Sequence, residues 1–110
     1  MAITINIYYS GKGGNARKFA EEMFLTGVVS DIRAEEGNIR YEYYFPTDDK
    51  ETVLLVDSWK DQRSLDVHHG SPMMEKIAEL REKYDLHMRV ERYVSDETGS
   101  SAADRIFLRE

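Results

Sequence analysis

This sequence has no cysteine and no long hydrophobic run. The first absence excludes disulfides, thiolate catalysis and cysteine-ligated metal sites. The second argues against a membrane partner, because a spanning helix needs roughly 20 consecutive apolar residues. Residues 1–6 also lack the basic start and apolar stretch of a signal peptide. We therefore expect a cytoplasmic protein.

Basic residues are few and scattered. Lysine and arginine number 15 against 21 aspartates and glutamates, which gives a formal net charge of −6. Binding to a phosphate backbone needs clustered lysine and arginine, so nucleic acid is not an expected partner. Metal-ligand spacings are missing too, because the neighbouring His68 and His69 cannot easily face one ion from a helix. We expect no metal site.

Two hydrophobic periodicities alternate along the chain. Segments with a period of two, typical of strands, are separated by segments with helical spacing. The predicted strands cover residues 3–9, 38–45, 52–60 and 86–94, and the predicted helices cover residues 15–27, residues 62–68 and a segment that begins at Ser71 and Pro72. Ser71 is the expected N-cap and Pro72 the expected first helical residue. This order predicts an α+β fold of the ferredoxin-like β-α-β-β-α-β type with an antiparallel sheet.

The third predicted strand is the main sign of self-association. Residues 52–56 are apolar on both faces, which is typical of a strand that is covered on two sides. The domain's own helices can cover one of these faces. We therefore expect a second copy of the chain on the other face, in a homodimer.

The C-terminal segment differs in composition from the rest of the chain. We assign residues 1–94 to one domain and residues 95–110 to a linker and tail. The linker is small and polar, and the apolar residues Ile106, Phe107 and Leu108 follow it. We expect residues 105–109 to form a short strand that crosses to the partner's sheet edge. The alternative is a disordered terminus.

An ordered set of motifs runs through the centre of the chain. It consists of an acidic-glycine run at residues 35–37, Asp57-Ser58-Trp59 at the end of a predicted strand, His68, and Ser71-Pro72 at a helix start. Over about residues 3–94 this set resembles the antibiotic biosynthesis monooxygenase family. The resemblance implies a dimeric α/β barrel with a pocket between sheet and helices. Members of that family include cofactor-free monooxygenases acting on quinols and polycyclic phenols, haem-degrading enzymes and a protein that processes autoinducer-2.

His68 occupies the family's histidine position and is our first candidate catalytic residue. Its ordinary pKa lies near neutrality, which suits removal of a proton from a phenol. The alternative is a histidine that is hydrogen-bonded in a structural loop. Asp57 is the second candidate, because a carboxylate on a covered strand needs a partner. It could orient His68 or the substrate hydroxyl, or it could pair structurally with Arg40 or Arg89.

Four further residues are candidates for substrate binding. Trp59 shares a strand face with Asp57 and could stack on a flat substrate, or it could be a core aromatic. The amides of Asn6 and Asn38 could hold a developing oxyanion, although Asn38 after Gly37 also suits a turn. Tyr43 shares one strand face with Tyr41, and one tyrosine set is expected in the pocket.

The resemblance also bears on cofactors. Haem-degrading relatives carry an axial histidine on the helix after Ser-Pro, and residues 73–80 contain none, so we do not expect haem. We predict a cofactor-independent monooxygenase that oxidises a small quinol or phenolic aromatic, with dioxygen as co-substrate. The alternatives are a dimeric module that binds a small ligand without catalysis, and an enzyme that isomerises or degrades a small signalling carbonyl compound like autoinducer-2.

Overall fold

The computed structural model describes residues 1–109 and has the predicted α+β architecture. Its strands are β1 (Ile3–Ser10), β2 (Asn38–Tyr44), β3 (Thr52–Trp59) and β4 (His87–Val94). Its helices are α1 (Asn15–Leu25), α2 (Val28–Arg33), α3 (Gln62–His69), α4 (Met73–Lys83) and the one-turn α5 (Ala102–Arg105). A 3₁₀ turn at Lys12–Gly14 precedes α1. The β-α-β-β-α-β order predicted from the periodicity is confirmed.

The four strands form one antiparallel sheet in the order β2-β3-β1-β4. Ile5 is paired with Asp57, so both side chains point to the same face of the sheet, and Tyr41 of β2 is paired with Asp57 as well. The helices pack on this face. Buried side chains from the helices and from the two central strands meet there and form the core, among them Phe19, Met23, Ile32, Val53, Leu55, Ile77 and Leu80.

No helix covers the opposite face of the sheet, which we call the open face, within residues 1–109. Leu54 and Val56 of β3 lie on it and are only half-buried by their neighbours. Tyr44 and Tyr93 are 39% and 52% exposed on the same face. The expectation that the domain's own helices cover only one face of β3 is therefore confirmed.

The local signals at helix ends had mixed outcomes. Asp61 caps α3 as its position suggests, since its side chain accepts a hydrogen bond of 2.8 Å from the Ser64 backbone N–H. Ser71 does not cap α4: its Oγ is buried without a partner, and its backbone carbonyl accepts the N–H of Met74 instead. The predicted N-cap at Ser71 is therefore wrong.

The tail has no strand at residues 105–109 in the single chain: helix α5 ends at Arg105, and a turn follows at Ile106 and Phe107. Ser101 caps the single turn of α5 by accepting the Asp104 backbone N–H, and two alanines with high helix propensity follow the cap. The apolar side chains of Ile106, Phe107 and Leu108 remain 51% to 83% exposed.

None of the helices in residues 1–109 has the length and hydrophobicity that crossing a membrane requires.

Candidate active site

A cavity of about 350 Å³ lies between the helix-covered face of the sheet and helices α3 and α4. Its volume is within the usual range for small-molecule sites. The deep wall consists of buried side chains from β1, β2, β3 and both helices, and most of it is apolar. The polar groups on this wall belong to Tyr9, Tyr41, Asp57 and His68.

The cavity opens on the side of β4, because the helices pack mainly over the other three strands. Met88 and Val90 pair with Tyr9 and Ile7, so they face inward, yet they are 40% and 54% exposed. Gln62 and Arg92 border the same opening and are exposed. A ligand can therefore enter along β4 and reach the buried polar groups.

His68 on the deep wall is hydrogen-bonded to Glu35, which lies behind it and outside the cavity. The His68 Nδ1 to Glu35 Oε2 distance is 2.7 Å, and the two side chains are 3% and 14% exposed. Burial lowers the pKa of His68 because it disfavours the charged imidazolium, and the carboxylate of Glu35 partly opposes this effect. The imidazole is therefore mainly neutral at pH 7, as a general base requires.

The tautomer of His68 follows from this hydrogen bond. An ionised carboxylate only accepts, so Nδ1 carries the proton and donates it to Glu35. Nε2 then has a lone pair. No group in residues 1–109 is hydrogen-bonded to Nε2, and the ring borders the cavity. Nε2 is thus the nitrogen that is available to a ligand.

The loop before β2 brings Glu35 to His68. Gly37 in this loop has a φ of +85°, and a Cβ there would collide with the Ser64 side chain. Its carbonyl accepts a hydrogen bond of 2.8 Å from the Lys60 backbone N–H. A glycine is therefore needed both for the backbone conformation and for close packing against α3, the helix that carries His68.

Trp59 and Asp57 form a second buried pair. The Trp59 indole N–H donates to Asp57 Oδ1 at 2.6 Å. Burial raises the pKa of Asp57 to about 7, with the indole hydrogen bond opposing the shift and the charge of Glu35 adding to it. Asp57 also borders the cavity. Near neutral pH this carboxyl group can accept or donate a proton.

The Trp59 ring lies against His68. The two ring centroids are 4.6 Å apart with an interplanar angle of 27°, so the rings are stacked. Trp59 is fully buried and is not part of the cavity wall. The expected role in stacking on a substrate is therefore not supported by its position, and Trp59 instead supports the imidazole and holds Asp57.

Two tyrosine hydroxyls complete the polar part of the deep wall. Burial raises the pKa values of Tyr9 and Tyr41 well above the ordinary value, so both remain protonated donors. The Tyr41 hydroxyl lies 3.5 Å from that of Tyr43. Tyr43 packs behind Tyr41 with its ring edge-on, and it does not border the cavity.

The two asparagines proposed for substrate binding lie outside the cavity. Asn6 is paired with Val56 and points to the open face, away from His68. Asn38 braces the irregular start of β2, where its side-chain amide donates to the carbonyls of Arg40 and Ser58. The structure thus brings together His68, Asp57 and Trp59, but not these two residues.

The suggested structural partners of Asp57 are also wrong. Arg40 pairs with Glu42 and Arg89 with Glu91, and both pairs lie on the open face because of the strand register. The indole of Trp59 is the partner of Asp57 instead. Asp57 and Trp59 are two residues apart on one strand, and this spacing is the sequence signal for their hydrogen bond.

Sequence reasoning missed four residues of the site, one of which is Arg92 at the cavity mouth. In the sequence, Glu35 stands out only as part of the acidic-glycine run, and Tyr9 only as a strand residue. Arg81 lies four residues after Ile77, next to the apolar stripe of α4, and this spacing was the available signal.

As for metals, residues 1–109 contain no group of three histidine, aspartate or glutamate side chains that could hold an ion.

Comparison with known proteins gives matches by sequence and by structure. The sequence pattern of a family described as "Antibiotic biosynthesis monooxygenase" matches residues 2–80. YcnE of Bacillus subtilis strain 168, whose own assignment as a monooxygenase is provisional, is 27% identical over 67 residues. The match covers 61% of this chain and 68% of YcnE.

Two solved structures illustrate the structural similarity. A protein from Deinococcus radiodurans, provisionally assigned as an antibiotic biosynthesis monooxygenase, aligns with a TM-score of 0.75 and 15% identity over 92% of this chain and 98% of its own. SnoaB, a cofactor-independent oxygenase from Streptomyces nogalater, aligns with a TM-score of 0.71 and 12% identity over 87% of this chain and 94% of its own. At such identities these structures show a shared fold alone.

Proposed function

This chain belongs to the antibiotic biosynthesis monooxygenase family, and we propose that it is a cofactor-independent monooxygenase that oxidises a small quinol or phenolic aromatic with dioxygen. One observation carries the proposal. A neutral imidazole, oriented by the half-buried carboxylate of Glu35, borders a largely apolar cavity whose other buried polar groups are the hydroxyls of Tyr9 and Tyr41 and the carboxyl of Asp57. This arrangement suits removal of a proton from a phenol in a site with little water.

The first step is formation of the substrate anion. His68 Nε2 accepts the proton of the substrate hydroxyl, and the ionised Glu35 stabilises the resulting imidazolium through Nδ1. The hydroxyls of Tyr9 and Tyr41 remain protonated and can donate hydrogen bonds to the developing oxyanion. Proton removal makes the ring electron-rich enough to reduce dioxygen directly.

The oxidation then balances without an external reductant. The anion transfers one electron to dioxygen, and the radical pair combines to a hydroperoxide at a ring carbon that bears hydrogen. Loss of water converts this carbon to a carbonyl, so one quinol and one dioxygen give one hydroxyquinone and one water. Asp57, whose pKa is about 7, can supply the proton that the departing hydroxide needs.

The assembly forms part of the same proposal. The open face has apolar groups on β3 beside exposed tyrosines, and a second copy of the chain would cover them in a homodimer. Residues 1–94 would form the domain, and residues 95–110 a tail that crosses to the partner. The exposed side chains of Ile106 and Phe107 support this, because burying each stabilises an assembly by roughly 1.5–3 kcal/mol.

Oxygen labelling tests the proposed reaction. The chain is mixed with 1,4-dihydroxynaphthalene and ¹⁸O₂ without any added cofactor, and the product is analysed by mass spectrometry. We expect 2-hydroxy-1,4-naphthoquinone with one labelled oxygen, formed faster than in the absence of protein. If no tested quinol or phenol consumes dioxygen but ligands still raise the melting temperature, the chain is a binding module and the proposal is wrong.

A further inference from the structure

We infer that the substrate of this site carries a carboxylate, which Arg81 and Arg92 bind at the cavity mouth while the phenolic end lies against His68. This inference rests on the proposed function and specifies its substrate class. Its basis is that both guanidinium groups border a largely apolar cavity and that neither has an acidic partner within residues 1–109.

Arg81 extends from α4 and is half-buried. Its Nη1 donates to the Met88 thioether sulfur at 3.0 Å, and thioether sulfur is a weak acceptor. Its charge lowers the pKa of Tyr9 against the larger effect of burial, so the guanidinium acts at the hydroxyl on the deep wall. A half-buried cation with such a weak acceptor is well placed to bind an anion that enters the cavity.

Arg92 borders the mouth from β4. Its Nη2 donates to Gln62 Oε1 at 2.7 Å, and the Gln62 amide in turn donates to Asp66 at 2.8 Å. The direct partner of Arg92 is therefore a neutral amide oxygen, although the chain is rich in carboxylates. This hydrogen bond spans the opening between α3 and β4. A ligand carboxylate can replace the Gln62 oxygen as the acceptor of the Arg92 guanidinium.

The charges of the cavity favour an anionic ligand. Asp57 is the only carboxylate side chain on the cavity wall among the described residues, and it already accepts the Trp59 indole N–H on the deep side. The mouth thus carries positive charge in a protein with a net charge of −6. A guanidinium matches the planar geometry of a carboxylate and can bind both of its oxygens. The apolar walls between mouth and deep wall suit the aromatic body of the same ligand.

A matched pair of ligands tests this inference. The pair is 6-hydroxy-2-naphthoate and its methyl ester, which share the ring and the phenol and differ in the negative charge. Dissociation constants are measured by calorimetry for the unaltered chain, for Arg81→Gln, for Arg92→Gln and for the double variant. Arg63→Gln serves as the control, because Arg63 follows Gln62 on α3 but lies outside the cavity.

We expect the unaltered chain and Arg63→Gln to bind the acid at least about tenfold more tightly than the ester. The double variant should lose this preference and still bind the ester with unchanged affinity, which also shows that it is folded. Equal binding of acid and ester by the unaltered chain, or a preference that survives in the double variant, would overturn the inference. Oxidation of the uncharged 1,4-dihydroxynaphthalene reports separately on the proposed function and does not depend on this outcome.

Discussion

Glu35 and His68 are separated by 33 positions in the sequence, and their side chains are joined by a 2.7 Å hydrogen bond behind the wall of an apolar cavity that His68 lines. The bond connects the loop before β2 to α3. It fixes the tautomer of the imidazole and leaves Nε2, on a ring that borders the cavity, without a hydrogen-bond partner in residues 1–109. The proposed chemistry depends on this pair more than on any other contact.

Replacing Glu35 by glutamine should lower the pKa of His68 further. The carboxylate raises that pKa through its hydrogen bond and its charge, and the amide keeps the shape without the charge. Turnover of a quinol should fall about tenfold or more, because the imidazolium is no longer stabilised. The pKa is measured by NMR titration of the His68 ring protons.

Glu36→Gln is the matched control for this experiment. Glu36 is adjacent but exposed, and it pairs with Lys60. Its replacement should leave both the His68 titration and turnover unchanged. If Glu35→Gln also leaves the pKa of His68 where it was, the pair does not have the role that we assign to it.

Asp57→Asn should change how stability depends on pH. The folded pKa of Asp57 is raised to about 7 from an unfolded value near 3.8, so the native state binds the proton more tightly. Stability from this group is complete below pH 4 and is lost as the pH rises to about 7. Asparagine cannot ionise. The unfolding free energy of the variant should therefore rise relative to that of the unaltered chain between pH 4 and pH 8, by on the order of a few kcal/mol.

Urea denaturation at several pH values measures this difference. Asp48→Asn in the exposed hairpin turn is the control and should show no such trend. A difference in unfolding free energy between Asp57→Asn and the unaltered chain that stays constant from pH 4 to pH 8 would contradict the raised pKa.

Gly37→Ala should lower the unfolding free energy more than Gly27→Ala does. Both glycines have positive φ angles, +85° and +81°, so alanine is strained by about 1–2 kcal/mol at each. Only at Gly37 would the added Cβ also meet the side chain of Ser64. Gly37→Ala should therefore lose more unfolding free energy in urea, and turnover should fall too because Glu35 shifts. Equal losses in the two variants would show that the contact with Ser64 is unimportant.

The homodimer is tested by Val56→Arg on the open face. A charge there should give monomers at micromolar concentration in light scattering, whereas the unaltered chain should have twice the monomer mass. Val67→Arg is the control, since Val67 is 64% exposed on α3. A monomer mass for the unaltered chain would refute the dimer.

In the same assay, removal of residues 96–110 should weaken the dimer if the tail crosses to the partner.

Much of the fold could be predicted from local patterns, but the site could be predicted only in part. Alternation along β1 and the apolar run of β3 identified these strands, and the two-residue period of a strand placed Asp57 and Trp59 on one face. It could not show that Asn6 lies on the other face, because this depends on the pairing of Ile5 with Asp57. The pair of Glu35 and His68 depends on how a loop packs against α3, and no periodicity in the sequence reports such a contact.

The same limit applies to the tail. Alternation in residues 105–109 suggested a strand on a partner's sheet edge, and the single chain offers no such edge; it shows only the helical turn at Ala102–Arg105, which the serine cap and the alanines favour. For Trp59, an aromatic near a strand end is compatible both with a pocket and with the core. Only the packing against His68 decides between them.

The most direct test of the account is dioxygen consumption by His68→Gln with 1,4-dihydroxynaphthalene and no cofactor. Glutamine is uncharged and can still bond to Glu35, but it cannot take up the proton of the substrate. We predict that turnover falls about 100-fold or more relative to the unaltered chain, while the melting temperature and the affinity for an unreactive naphthol change little. Turnover equal to that of the unaltered chain would contradict the assignment of His68 as the base.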